Sequence, residues 1–105
     1  MSKMNIAAAV VFTLLSGATG LAEGDAKDLY LDKCALCHGP DGAGKTAKGR
    51  KLKVLDVHQT ALKVSEAEMV KIVAEGKGKD MDAFGKDLKA DQIAAVVKYY
   101  RSLAK

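Results

Sequence analysis

The chain has 105 residues, which is the length of one domain, and its formal net charge at pH 7 is +4. This mild basic excess and an aromatic content of 5% argue against nucleic-acid binding, which usually combines a strongly basic face with stacking aromatic side chains. A domain of this size has a small hydrophobic core and usually needs a disulfide, a metal or another staple to stabilise it.

The first 22 residues are predicted to be a secretory signal peptide. Lys3 gives a positive n-region, residues 6–15 form a short apolar run, and small residues lead to a cleavage site after Ala22. The apolar run is about half as long as a membrane-spanning helix requires, so an uncleaved anchor is the less favoured alternative. Cleavage would leave a single domain, residues 23–105, with a net charge of about +3, because only Lys3 is lost.

The beginning of this domain has a helical pattern. A first helix is predicted with Asp25 as its N-cap, and it continues into Cys37 and ends at Gly39 and Pro40. Residues 39–53 are rich in glycine and lysine and are interpreted as a long loop. Residues 54–58 are interpreted as a short extended piece or a turn.

Two more helices are predicted in the second half of the domain. Ser65 and Glu68 form a capping box in front of an apolar helix face, and Gly76 is a good C-terminal stop. Residues 75–88 are a glycine-broken loop, and from about Ala90 the apolar side chains recur at the spacing of an amphipathic helix. Three main helices with such long loops indicate that the loops enclose a ligand.

The stretch CALCHGPDGAGK contains both cysteines, Cys34 and Cys37, and His38 follows the second directly. A disulfide between them would close a tiny loop and would stabilise the fold little. A thioredoxin-like redox pair needs a βαβ context, and a zinc site needs further ligands, of which only His58 remains. The favoured hypothesis is attachment of a c-type haem, since Cys-x-x-Cys-His is its signature: the thiols reach the two vinyl groups, and the imidazole lies under the iron.

The second axial ligand of such a haem can be chosen from three side chains. Met69 lies on the apolar face of a predicted helix, where methionine is usually part of the core. Met81 lies in a glycine-rich loop that is free to close over the opposite haem face, and it is favoured over His58, a loop or surface histidine. Ligation by histidine and methionine raises the redox potential relative to two histidines and leaves no open site for a substrate. The sequence therefore predicts an electron carrier and not an enzyme.

The chain resembles the bacterial class I cytochromes c, of the small monohaem c6-like or c5-like kind. The resemblance covers nearly all of residues 24–105 and depends on four stretches in order: LYLDKCALCHGPDGAGK, SEAEMVKIVAEGKGK, MDAFGKDL and IAAVVKYYRSL. It implies an all-α fold of three to four helices and long loops wrapped round one covalently bound haem c. It also implies thioether bonds from Cys34 and Cys37, His38 as the proximal iron ligand and Met81 as the distal one.

The same resemblance implies that the N- and C-terminal helices cross near Tyr30 and Tyr99. Three positions depart from the family pattern. Asp82 stands where the family usually has a proline after its ligand methionine, which leaves the ligand loop freer. Arg50 replaces the proline of a turn, here GRKL, whose backbone oxygen accepts the proximal histidine's proton in many members, and Lys89 is a poor N-cap for the last helix.

The predicted function is that of a monomeric carrier in the periplasm, with no stable membrane insertion after signal cleavage. It would pass single electrons between redox proteins through an exposed haem edge. Acidic partners would dock on the basic cluster, which is Lys45, Lys48, Arg50, Lys51 and Lys53. The alternative for this cluster is a solvated face. Two other functions stay open: an enzyme with an opened haem site, and a cytochrome subunit that works only within a complex.

Overall fold

The computed structural model describes residues 22–105 and has six helices there, joined by irregular segments. They are α1 (Glu23–Lys33), α2 (Ala35–His38), α3 (Ala47–Leu52), α4 (Val57–Lys63), α5 (Glu66–Glu75) and α6 (Ala90–Ser102). These residues include no strand, only an isolated bridge between Lys77 and Met81. The all-α prediction is confirmed. Residues 1–21, with nearly all of the predicted signal peptide, lie outside the described part.

The core forms where α6 packs against α1 and α5. The Tyr30 ring lies 5.3 Å from the ring of Tyr99 and is stacked 6.0 Å from that of Tyr100. The N- and C-terminal helices therefore meet near Tyr30 and Tyr99, as the resemblance implies. The residues at the centre of this core are Tyr30, Val57, Met69, Val73, Leu88, Ile93, Val96, Val97 and Tyr100. None of the helices in the described part has the length and hydrophobicity of a membrane span.

Helices α5 and α6 begin and end close to where the sequence predicts. The Ser65 hydroxyl accepts the Glu68 N–H at 3.1 Å, and α5 ends at Gly76, whose φ is +82°. Lys89 gives α6 no side-chain cap, as predicted. Gln92 compensates, because its Oε1 accepts the Lys89 N–H at 2.8 Å and so satisfies a backbone donor at the helix entrance.

The first predicted helix differs from the observed one at both ends. The N-cap of the observed helix is Ala22, which provides no side-chain hydrogen bond, whereas the sequence predicts Asp25. The helix also breaks at Cys34, where α1 ends, and α2 then carries Cys37 and His38 as a separate turn.

Two short helices occupy segments that the sequence assigns to loop or extended structure. Thr46 caps α3 within residues 39–53, and its hydroxyl accepts the Gly49 N–H at 2.9 Å. Asp56 caps α4 by accepting the His58 N–H at 2.8 Å, so residues 54–58 lead into a helix. Both interpretations are right only in part, because residues 39–46 and 54–56 are irregular whereas 47–52 and 57–58 are helical. The sequence pattern does not show these helices, since each buries one residue, Gly49 or Val57.

Candidate haem-attachment site

The Cys-x-x-Cys-His motif occupies a single helical turn. Cys34 is the C-cap of α1 and the N-cap of α2. Its carbonyl accepts the N–H groups of Cys37 at 3.2 Å and of His38 at 3.0 Å. Both thiols are free and half-buried. The fold therefore places two thiols and one imidazole on one hydrogen-bonded helical turn.

The His38 imidazole is held against the aromatic core. Its ring meets the Tyr100 ring edge-on with 5.2 Å between the centroids. Burial lowers the pKa of His38, which favours the neutral imidazole that metals bind. Its Nδ1 is buried without a hydrogen-bond partner in the described part of the chain. The GRKL stretch belongs to α3 and not to a turn, and its Gly49 carbonyl accepts the Val54 N–H at 2.9 Å.

The environment of the cysteines distinguishes between the chemistries that the motif allows. Burial raises the pKa of Cys34 to about 11, with a smaller contribution from Cys37. Reactive thiols of redox pairs have lowered pKa values, and the described residues contain no strand for a βαβ unit, so neither feature supports a thioredoxin-like pair. Residues 22–105 also contain no group of three His, Cys, Asp or Glu side chains placed to hold a metal. Two free thiols and a half-buried imidazole, whose pKa burial lowers, are the donor set that a haem c needs, and the residues present fit that group.

Helix α3 packs directly on this motif. The Thr46 hydroxyl donates to the carbonyl of Leu36, between the two cysteines, at 2.6 Å. Gly49 faces the carbonyl of Cys37 so closely that a methyl group there would clash with it, and this methyl would lie 2.7 Å from the Gly44 carbonyl oxygen. Only glycine fits at position 49. The sequence analysis did not predict this contact. Its only local signal is Thr46, a good N-cap residue directly before the stretch AKGRKL.

The two methionines of the described part lie in different surroundings. Met69 is 5% exposed and belongs to the core, as predicted, and its Sδ lies 3.6 Å from Nη1 of Arg101. The same Nη1 donates to the carbonyl of Val64 at 2.8 Å. Met81 is half-buried against the core from the segment between α5 and α6. Cys34 packs against this core as well. The attachment motif and the predicted distal ligand, Met81, therefore border the same hydrophobic cluster.

His58 is a surface residue of α4. Its side chain is 60% exposed, and its Nδ1 lies 2.7 Å from Oδ1 of Asp56. The backbone and side-chain hydrogen bonds from His58 lower the pKa of Asp56. The pairing with Asp56 explains the place of His58 without any role in binding iron. This agrees with its interpretation from the sequence as a loop or surface histidine.

The helical fold and the attachment motif define the molecule as a c-type cytochrome. A family model described as cytochrome c oxidase, cbb3-type, subunit III, matches residues 22–99, and the chain belongs to this family. Three chains of solved structures match. One is a protein described as the KustC0563 c-type cytochrome, with a TM-score of 0.70 and 28% identity over 76% of this chain and 98% of that one. No curated protein matches the chain.

These similarities confirm the prediction of a small class I c-type cytochrome. Family membership implies a covalently bound haem c and a role in electron transfer with redox proteins as partners. Members of such families are generally electron carriers and not enzymes.

Proposed function

We propose that this chain is a periplasmic one-electron carrier with a single haem c. Cys34 and Cys37 would hold the haem through two thioether bonds, and His38 and Met81 would be the axial ligands of its iron. Residues 1–22 would be the signal peptide, and residues 23–105 the cytochrome domain. The observation that carries the proposal is the single helical turn that carries two free thiols and a half-buried imidazole packed against Tyr100.

When bound, the haem would supply a one-electron iron couple. The chain's own residues would orient and protect this group. Tyr30 is fixed by donating its hydroxyl to the Gly39 carbonyl at 2.6 Å, and its ring supports Tyr100, which in turn contacts His38. The thioether sulfur of Met81 is a soft donor that favours ferrous iron, and two permanent ligands would exclude substrates from the metal.

The basic cluster would be the docking surface for acidic partners. All five of its side chains are exposed, and within the described residues none of them forms a salt bridge. Helix α3, which carries three of them, contacts the attachment motif through Thr46 and Gly49. Unpaired surface cations next to the redox group would accelerate encounter with a negatively charged partner.

A second candidate function is a subunit of a redox complex. It is favoured by the description of the matching family model, which is that of subunit III of a cbb3-type oxidase. A subunit would be bound in a stable complex with other proteins, whereas a free carrier would be a monomer. The native state can be measured by gentle extraction of cells and size-exclusion chromatography with detection of haem absorbance.

The proposal is tested on the exported protein expressed with a haem-attachment system. Intact mass spectrometry should give residues 23–105 plus one haem, and the subcellular fraction should be the periplasm. Cys34→Ser and Cys37→Ser together should remove the covalent haem, whereas His58→Ala should keep it. A full-length chain in the cytoplasm or a haem retained without the cysteines would contradict the proposal. Elution with a large complex would favour the subunit over the free carrier.

A further inference from the structure

The segment that carries Met81 folds back onto the C-terminal end of α5. The last carbonyls of a helix have no partner inside the helix and must be satisfied by other groups. Here Val73 accepts the Phe84 N–H at 2.8 Å, and Ala74 accepts the Gly85 N–H at 3.0 Å. The chain beyond Met81 is therefore attached to a packed helix through its backbone.

The chain before Met81 is attached to Met81 itself. The Lys77 N–H donates to the Met81 carbonyl at 3.0 Å, and the Met81 N–H donates back to the Lys77 carbonyl at 3.3 Å. This pair of bonds closes a turn of five residues. Together with the bonds of Phe84 and Gly85 it forms what we call the Met81 clamp, and it fixes the methionine backbone from both sides.

The clamp requires two glycines. Gly76 has φ of 82° and ψ of 173°, a region open in practice to glycine alone. A methyl group on Gly76 would lie 2.9 Å from the Met81 carbonyl oxygen and 3.0 Å from the Ala83 nitrogen. A methyl group on Gly85 would lie 2.8 Å from the carbonyl oxygen of Ala74. Neither contact can be relieved by rotating a side chain, because the opposing atoms belong to the backbone.

We propose that Gly76 and Gly85 are positioning residues for Met81. Their missing side chains let the clamp close and hold the methionine sulfur where an axial ligand must lie. The clamp restrains the backbone beside Met81, as a proline at position 82 would. Asp82 does not restrain the backbone in this way. The inference rests on the proposed function, in which Met81 is the distal ligand.

The loop contains its own control for this proposal. Gly78 also has a positive φ, 61°, but a methyl group on it would meet no atom within 4 Å. Gly76→Ala and Gly78→Ala therefore both place alanine at a positive φ, and only the first opposes the Met81 carbonyl. Gly85→Ala tests the second anchor at a position whose φ is outside the left-handed range.

The readout is the bond between the methionine sulfur and the iron in purified holoprotein. A methionine sulfur bound to ferric haem gives a weak absorption band at the red end of the visible spectrum, as the resemblance to class I cytochromes implies. Gly76→Ala should lose this band, and its ferrous form should bind carbon monoxide roughly five- to 150-fold faster, as strain on the closed loop shifts it towards opening. Gly85→Ala should weaken the band, and Gly78→Ala should keep it.

Two further measurements keep the outcome decisive. If Gly76→Ala gives no holoprotein, Gly85→Ala decides, together with amide hydrogen exchange of the wild type, in which the Lys77 and Phe84 N–H groups should be protected. A band unchanged in Gly76→Ala and Gly85→Ala, or unprotected amides at Lys77 and Phe84, would overturn the clamp while leaving the ligand intact. Met81→Ala separates the two claims, because a band that survives it would refute the ligand and the proposed function with it.

Discussion

Met69→Ala should destabilise the protein strongly without changing the proposed axial ligands of the haem iron. Met69 is 5% exposed and lies in the core between α5 and α6. Its truncation removes buried methylene and sulfur contacts and leaves a cavity, which typically costs about 2–5 kcal/mol. Arg101 loses its long contact with the Met69 sulfur at 3.6 Å but keeps its hydrogen bond to the Val64 carbonyl, so the loss is mainly one of packing. A domain of this size is stable by roughly 4–12 kcal/mol, so the loss is a large share.

The assay is urea unfolding of the ferric holoprotein, followed by circular dichroism. The unfolding midpoint should fall by on the order of 2 M with the slope unchanged, and the red absorption band should persist. Leu62→Ala is the matched control, since Leu62 is 88% exposed and its truncation should change stability by less than about 0.5 kcal/mol. A loss below about 1 kcal/mol for Met69→Ala, or disappearance of the band, would refute the assignment of Met69 to the core.

Three more predictions concern the haem, the docking surface and the aromatic core. Cys34→Ala with Cys37→Ala should leave a largely disordered product, because so small a core needs its covalent group, and a normal helical melt by circular dichroism would count against this. Electron-transfer rates with an acidic protein should fall as salt shortens the Debye length from ~30 Å to ~8 Å, and a flat or rising rate would make residues 45–53 a solvated face. Tyr30→Phe should cost about 0.5–1.5 kcal/mol in urea unfolding, because the buried Gly39 carbonyl loses the Tyr30 hydroxyl at 2.6 Å but keeps the Gly42 N–H at 3.1 Å. No measurable loss would show that this bond contributes little.

The parts of the molecule that the sequence predicts are those whose cause is local. Cys34, Cys37 and His38 lie within five residues, so one helical turn is enough to assemble them. Ser65 and Gly76 act on the backbone within one turn of their own positions, and both mark the ends of α5 as predicted. Helix α6 is predictable because its apolar stripe faces a core on two sides.

The parts that the sequence does not predict depend on contacts between distant segments. Helix α3 has no apolar stripe, and it is held by the bond from Thr46 to the Leu36 carbonyl and by the close approach of Gly49 to Cys37. The N-cap of α1 is Ala22, whose side chain forms no capping hydrogen bond, so the sequence gives no signal for the start of this helix. The Met81 clamp is made of backbone hydrogen bonds, which leave no signature in the side-chain pattern beyond the glycines.

The central claim is that Met81 completes the site that Cys34, Cys37 and His38 begin. The most direct test is the red end of the visible spectrum of ferric holoprotein, compared between the wild type and Met81→Ala. The account predicts that the wild type shows the weak sulfur-to-iron band, and that Met81→Ala loses it, has a lower midpoint potential and binds carbon monoxide when reduced. A band that survives Met81→Ala would contradict the account and return the choice of ligand to Met69 or His58.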